Sequence, residues 1–147
     1  MKKYFSIIWV ITIALIISSC SKDAPVTYTK FPEPHWVIDN TGKYPYSMSA
    51  VVQLSDTLKD YLLPTDHLGA FVDNECRGIG VLVKTNVTYV YYVLIHGTAA
   101  ENSRVTFKYY NSQNMYIYKT SPFLAFSVDG IFGSPDNPKT LLLQPTN

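Results

Sequence analysis

Cysteine, histidine and surplus charge are all scarce in this chain of 147 residues. Its two cysteines, Cys20 and Cys76, cannot build a disulfide framework, so the fold must rest on packing. The three histidines, His35, His67 and His96, stand far apart, and none has a second ligand at metal-binding spacing. Twelve basic and eleven acidic residues leave a surplus of only one positive charge to neutralise phosphates, which argues against a nucleic-acid partner.

Sequence motifs for catalysis are also missing. The chain has no glycine-rich phosphate loop and no nucleophile elbow. Its one close acid–histidine pair, Asp66-His67, would face opposite sides of a strand. We therefore expect no enzyme activity and no cofactor. A calcium site and simple solvated turns both stay open for three late loop residues, Asp129, Asp136 and Asn137.

The N-terminus has the three-part layout of a signal peptide. Lys2 and Lys3 precede an almost unbroken apolar stretch over residues 4–17, which is too short to favour a permanent transmembrane span. Small residues at positions 18 and 19 then precede Cys20. An ordinary secretory signal that happens to end in cysteine would show the same layout.

Residues 17–20, Ile-Ser-Ser-Cys, resemble the lipobox of bacterial lipoproteins, where leucine is commonest at the first position. The resemblance implies that residues 1–19 are removed and that Cys20 receives a diacylglycerol, which makes a membrane the partner of the mature chain. Removal of Lys2 and Lys3 leaves ten basic and eleven acidic residues. Residues 20–34, which are interrupted by prolines, are predicted to tether the domain that follows.

Period-two patterns of apolar residues dominate the chain from Trp36 onward. Residues 46–54 alternate, and residues 87–95 are almost entirely β-branched or aromatic. The patterns predict one all-β domain over residues 35–147, an antiparallel β-sandwich of about eight or nine strands, Ig-like or jelly-roll-like. Further strands are expected at residues 68–72, 76–83, 104–110, 115–119, 123–128 and 140–144, with a helical turn at 56–61 and a hairpin turn at Asp73-Asn74.

Residues 66–78 carry a resemblance to a known family. They read Asp-His-Leu-Gly-Ala-Phe-Val-Asp-Asn-Glu-Cys-Arg-Gly, so that Asp66 and Phe71 precede the triplet Cys76, Arg77 and Gly78. This pattern resembles a β-sandwich domain found in secreted and surface lipoproteins of Bacteroidetes. The resemblance implies the fold and a place in the cell envelope, but no activity, because that family is largely uncharacterised.

The same segment also has physical interpretations. Cys76 is expected to point into the core as a small apolar residue, with a reactive thiol as the alternative. A glycine inside a strand, as at Gly69 and Gly78, marks a bulge or a close backbone approach. Arg77 should face away from Cys76 and form a structural clamp with one of three acids, Asp66, Asp73 or Glu75.

Tyrosine is the one residue type in unusual supply, with twelve in the chain. Alternation predicts that four of them, Tyr92, Tyr110, Tyr116 and Tyr118, contribute to one exposed surface whose amphipathic rings contact a glycan or a protein. The alternative is cross-strand pairing that only stabilises the sheet.

These observations favour a non-catalytic envelope lipoprotein that acts as a surface binding or adhesion module for glycan or protein. A structural subunit of an envelope complex is the second interpretation, and a small hydrolase is the third. Outer-membrane residence is expected over inner, because Ser21 differs from the aspartate that retains some lipoproteins at the inner membrane, and display on the cell surface is open.

Replacement of Cys20 tests the anchor. In Cys20→Ala, incorporation of labelled palmitate should be lost and the protein should leave the lipid-anchored membrane fraction, since no acyl chain remains to be buried. Cys76→Ala is the matched control and should keep its label. Continued labelling of Cys20→Ala in intact cells would contradict lipid attachment at this residue.

Overall fold

The computed structural model describes residues 27–147, so the predicted signal peptide and Cys20 lie outside the described residues. The all-β prediction is confirmed. The one helix in this range, α1, is a single turn at Asp56–Lys59, and none is long and apolar enough to cross a membrane. The strands are β1 (Tyr46–Leu54), β2 (His67–Val72), β3 (Glu75–Lys84), β4 (Tyr89–Gly97), β5 (Arg104–Asn111), β6 (Tyr116–Lys119), β7 (Leu124–Ala125), β8 (Ile131–Phe132), β9 (Lys139–Leu141) and β10 (Gln144–Pro145).

The strands form one curled sheet in the order β10-β6-β5-β2-β3-β4-β1-β8, with β7 beside β5 and β9 beside β1. The expectation of a purely antiparallel sheet is wrong, because β8 and β9 both pair with β1 in parallel. Residues 129–139 are rich in glycine and proline and were expected to form a loop between two strands. In the structure this segment contains β8 and the start of β9. Gly133 there has φ +80°, and a Cβ would come within 2.4 Å of the Val51 carbonyl oxygen.

The core lies on one face of the curled sheet and follows the predicted alternation. In β1 the core side chains are Met48, Ala50, Val52 and Leu54, as expected, although Tyr46 at the strand start is exposed and Val51 on the opposite face is also buried. In β4 the inward side chains come from Tyr91, Val93 and Ile95. Large inward side chains of β2 and β5, namely Leu68, Val72, Val105, Phe107 and Tyr109, complete the centre of the core.

The β2–β3 hairpin has the predicted turn and one irregularity. Asp73 and Asn74 have φ of 49° and 67°, which their short polar side chains tolerate. The register then shifts, since Phe71 pairs with Cys76 while Ala70 pairs with Gly78, and Arg77 is the extra residue of a β-bulge. At Gly78 a Cβ would lie 2.5 Å from the carbonyl oxygen of Leu94, so the predicted close approach is confirmed.

Because of the bulge, two residues are oriented differently from the prediction. Arg77 is the buried one, with 4% of its surface exposed, whereas Cys76 lies opposite Phe71 and is only half-buried. The guanidinium carbon of Arg77 stands 3.3 Å from the centroid of the Tyr44 ring. Its Nη atoms pair with Glu101 at 3.1 Å and with Glu75 at 3.5 Å, so the predicted clamp uses Glu75 and a second acid that sequence reasoning missed.

Asp66 does not take part in that clamp, because it belongs to a separate buried hydrogen-bond network. One carboxylate oxygen accepts hydrogen bonds from the Ser112 amide and hydroxyl, both at 2.8 Å. The other accepts from the Leu63 amide at 2.8 Å and from the Tyr109 hydroxyl at 2.5 Å. Burial and the hydrogen bond to Asp66 raise the pKa of Tyr109 far above the ordinary tyrosine range.

A matched pair of tyrosines tests this network. Tyr109→Phe should lower the free energy of unfolding by about 1–3 kcal/mol, because buried Asp66 loses a donor. Tyr91 is as deeply buried, but its hydroxyl has no partner within residues 27–147. Tyr91→Phe should therefore leave stability within about 1 kcal/mol or raise it. Urea unfolding measures both, and a greater loss in Tyr91→Phe would refute the assignment.

Candidate functional site

The four tyrosines predicted to share a surface are separated in the structure. Tyr92 is 37% exposed on β4, and three strands stand between β4 and β6 in the sheet order. Tyr110 is buried, and Tyr118 packs against the core with its ring centroid 6.0 Å from that of Tyr109. Tyr116 is half-buried at the start of β6, with its ring centroid 5.6 Å from that of Tyr28. A single surface formed by all four rings is therefore ruled out.

The register of β5 with β6 explains the error. Tyr110 pairs with Ile117, and Tyr109 pairs with Tyr118. Side chains of directly paired residues lie on the same face, so Tyr116 and Tyr118 face away from Tyr110. A shift of one residue in the pairing register exchanges the two faces of a strand. On the outer face of this strand pair, Ile117 and Lys119 therefore stand where the prediction had placed tyrosines.

An N-terminal segment, residues 27–37, crosses the outer face of the sheet and covers Tyr110. The Phe31 amide donates to the Met115 carbonyl at 2.8 Å, and the Tyr110 hydroxyl donates to the Phe31 carbonyl at 3.4 Å. Glu33 lies 3.0 Å from the Nε2 atom of His67. The later part of the predicted tether, from residue 27 to 34, is thus in contact with the sheet.

Next to this segment the outer face carries a cleft of about 560 Å³, which we call the outer cleft. Its volume falls in the range of small-molecule binding sites. Strands β2, β5 and β6 form its floor, and the chain near residues 120–122 and 144–146 forms a rim. Its lining comprises Phe31, Trp36, Phe71, Asn74, Thr106, Lys108, Ile117, Lys119, Thr120, Ser121, Pro122, Gln144 and Thr146.

Aromatic rings form one wall of the outer cleft. Trp36 and Phe71 meet edge to face, with ring centroids 5.2 Å apart and planes at 81°. Both rings lie over Gly69, where a Cβ would come within 2.8 Å of the Phe71 ring and 3.0 Å of the Trp36 ring. Trp36 is half-buried, so part of its ring stays accessible. The glycine in β2 therefore makes room for an aromatic wall.

Two lysines face each other across the floor. Lys108 on β5 pairs in register with Lys119 on β6. The Lys108 ammonium stands 4.3 Å from the centroid of the Phe71 ring and 3.4 Å from the Asn74 side-chain oxygen. Burial and the neighbouring charge of Lys119 lower the pKa of Lys108. Neither lysine forms an ion pair with any residue in the described part of the chain.

The lining supplies chemistry for recognition. It has four hydroxyl side chains and two amide side chains but no Asp, Glu, His or Cys. Across residues 27–147 no group of three or more His, Cys, Asp or Glu side chains is placed to hold a metal ion. The outer cleft thus offers rings, hydroxyls, amides and two ammonium groups to a ligand.

Comparisons with known proteins add no functional assignment: no protein-family model matches the chain, and no curated protein or solved structure shows significant similarity to it. Its site must be interpreted from its own geometry.

Sequence reasoning missed the residues that build the outer cleft. Phe71 had been noted only as part of a structural motif, and Trp36 only as the residue where the strand pattern begins. One available signal was the position of Lys108 in β5, where alternation places it on the face opposite Phe107 and Tyr109. A lysine in the middle of one strand, followed by a second lysine in the next strand, indicates a polar site on the outer face.

Cys76 lies opposite Phe71 in register, and its thiol chemistry can be tested. Burial raises the pKa of Cys76, and its Sγ lies 3.6 Å from the Gly78 carbonyl oxygen. Iodoacetamide should alkylate the folded Cys20→Ala protein at pH 7.5 more slowly than the same protein in urea, because less thiolate is present. The rate should keep rising above pH 9, where a free thiol levels off. Equal rates in the two states would contradict this assignment.

Proposed function

We propose that this chain is a non-catalytic, lipid-anchored envelope protein whose outer cleft binds a saccharide. The observation that carries the proposal is the composition of that cleft. A half-buried tryptophan, Trp36, stands beside hydroxyl, amide and ammonium groups, and no acidic or imidazole side chain lines the site.

A sugar has two kinds of surface, and the outer cleft offers a partner to each. The apolar C–H face of a pyranose packs on an aromatic ring, which Trp36 supplies at the wall. Sugar hydroxyls exchange hydrogen bonds with short polar side chains, which here include Asn74, Thr106 and Gln144. A few convergent polar groups in a largely apolar cleft fix the orientation of a ligand.

The proposed function includes a lipid anchor at Cys20. The signal peptide and lipobox at residues 17–20 support attachment to a membrane through Cys20, and Ser21 supports the outer membrane over the inner. The pattern from Asp66 to Gly78 supports kinship with surface lipoprotein domains of Bacteroidetes. Such a protein would hold its ligand at the cell envelope.

For the fold, we propose that the curled sheet forms a two-layered β-sandwich whose layers share β3. The first half of β3, up to Ile79, pairs with β2, and the second half, from Gly80, pairs with β4. Core side chains of β1 and β4 pack in one cluster with those of β2 and β5. This arrangement would place the outer cleft on the outside of one layer.

A second candidate function is docking of an envelope protein on the outer face of β3 and β4. Val81 is 62% exposed and pairs in register with Tyr92, and Leu94 on the same face of β4 is 52% exposed. Contiguous exposed apolar side chains mark interaction surfaces. Co-purification of a stable envelope partner that is lost in Val81→Ser would support this function.

Variants at Trp36 and Tyr92 test saccharide binding. The mature domain would be screened on an array of oligosaccharides, and the strongest hit measured by calorimetry. Trp36→Ala should weaken binding by about 1–3 kcal/mol, the usual cost of removing an anchoring ring. Trp36→Phe should recover part of the loss. Tyr92→Ser is the matched control on the other part of the sheet and should bind normally.

The outcomes separate the candidates. Loss of binding in Tyr92→Ser with normal binding in Trp36→Ala would move the site from the outer cleft to β4. Absence of any saccharide binding by a domain that unfolds cooperatively would refute the proposed function. Urea unfolding of each variant shows whether a loss of binding reflects a loss of fold.

A further inference from the structure

The pairing of Lys108 with Lys119 is unfavourable for the domain by itself. Like charges directly opposite each other on neighbouring antiparallel strands destabilise the pair. The cost is larger where a charge is partly removed from water, and Lys108 is half-buried beneath the rim of the outer cleft. Packing does not require two ammonium groups at these positions, because the core lies on the other face of the sheet.

Nothing acidic offsets these charges from within the cleft. Its lining contains no carboxylate, and the nearest interactions of Lys108 are with the Asn74 amide oxygen and the face of Phe71. Both interactions orient an ammonium group without neutralising it. Acidic residues of the neighbouring hairpin are engaged elsewhere, since Asp73 accepts from Ser103 and Glu75 binds Lys43.

We propose that the ligand of the outer cleft is an acidic saccharide whose carboxylate or sulfate group is bound by Lys108 and Lys119. This inference rests on the proposed saccharide-binding function and adds the charge of the ligand to it. The anion would relieve the repulsion between the two lysines, and each new hydrogen bond would be charge-assisted. The sugar ring next to the anion would then pack against Trp36.

The surroundings of the lysines favour a saccharide over other anions. Nucleic acid requires an extended basic surface, and the mature chain has more acidic than basic residues. Beside the lysines the outer cleft presents the Trp36 ring, the Ser121 hydroxyl and the Gln144 amide, which suit the apolar face and the hydroxyls of a sugar. An acidic sugar carries several hydroxyl groups around one anionic group, which matches a cleft with polar side chains around two lysines.

Calorimetry with three kinds of oligosaccharide of equal length tests whether the outer cleft prefers an acidic ligand. Hyaluronan fragments carry carboxylates, chondroitin sulfate fragments carry carboxylates and sulfates, and cello-oligosaccharides are neutral. At least one acidic fragment should bind tenfold or more tightly than the neutral one, and its affinity should fall with added salt. Lys108→Gln and Lys119→Gln should each weaken acidic-fragment binding about tenfold and leave neutral binding unchanged.

Stability provides the second readout. Lys119→Gln removes the repulsion, so its urea midpoint should stay the same or rise while acidic binding falls. Lys84 is the matched control, because it is an exposed lysine above a tyrosine ring, Tyr89, but outside the outer cleft. Lys84→Gln should bind normally.

Each remaining outcome overturns part of the proposal. Neutral fragments that bind as well as acidic ones, with dependence on Trp36, would leave saccharide binding standing and refute the acidic ligand. Equal binding of a polyglutamate peptide, insensitive to Trp36→Ala, would replace the saccharide by an acidic peptide. No binding of any fragment by a folded domain would refute both proposals.

Discussion

The contact between the backbones of Gly78 and Leu94 is the constraint on which the rest of the structure depends. A Cβ at position 78 would come within 2.5 Å of the Leu94 carbonyl oxygen, so only glycine lets β3 lie this close to β4. That closeness allows β3 to pair with β2 in its first half and with β4 in its second. One strand thereby joins the two parts of the sheet around a common core.

The bulge beside Gly78 has consequences at both faces. It turns Arg77 inward, onto the Tyr44 ring and between two glutamates. It also leaves Cys76 on the outer face opposite Phe71, which stands in the wall of the outer cleft. A buried guanidinium costs free energy unless it is paired, so the acids that hold Arg77 also stabilise the position of the bulge. The bulge therefore sets the positions of both Arg77 and Cys76.

Local patterns in the sequence predicted much of this fold and little of the site. Alternation located β1 and the buried side of β4, and the Asp73-Asn74 pair located a hairpin, because both depend on neighbouring residues alone. Gly78 marked a bulge or a close backbone approach, but it did not show that Arg77 would be the extra residue, so Cys76 was expected inside. The faces of β6 depend on its register with β5, which a turn sequence does not determine. The outer cleft also needs residues 27–37 to cross the sheet. The alternation of apolar residues does not predict where a segment outside the strands will pack.

Under the proposed lipid anchor, that crossing would also limit how far the outer cleft can lie from the membrane. Phe31 is held against the sheet beside the outer cleft, and it follows Cys20 by eleven residues. A fully extended chain of that length spans at most about 40 Å. A lipid on Cys20 would therefore keep the cleft within roughly one bilayer thickness of the membrane surface. With the proposed anchor in place, the outer cleft would reach only ligands that lie close to the membrane surface.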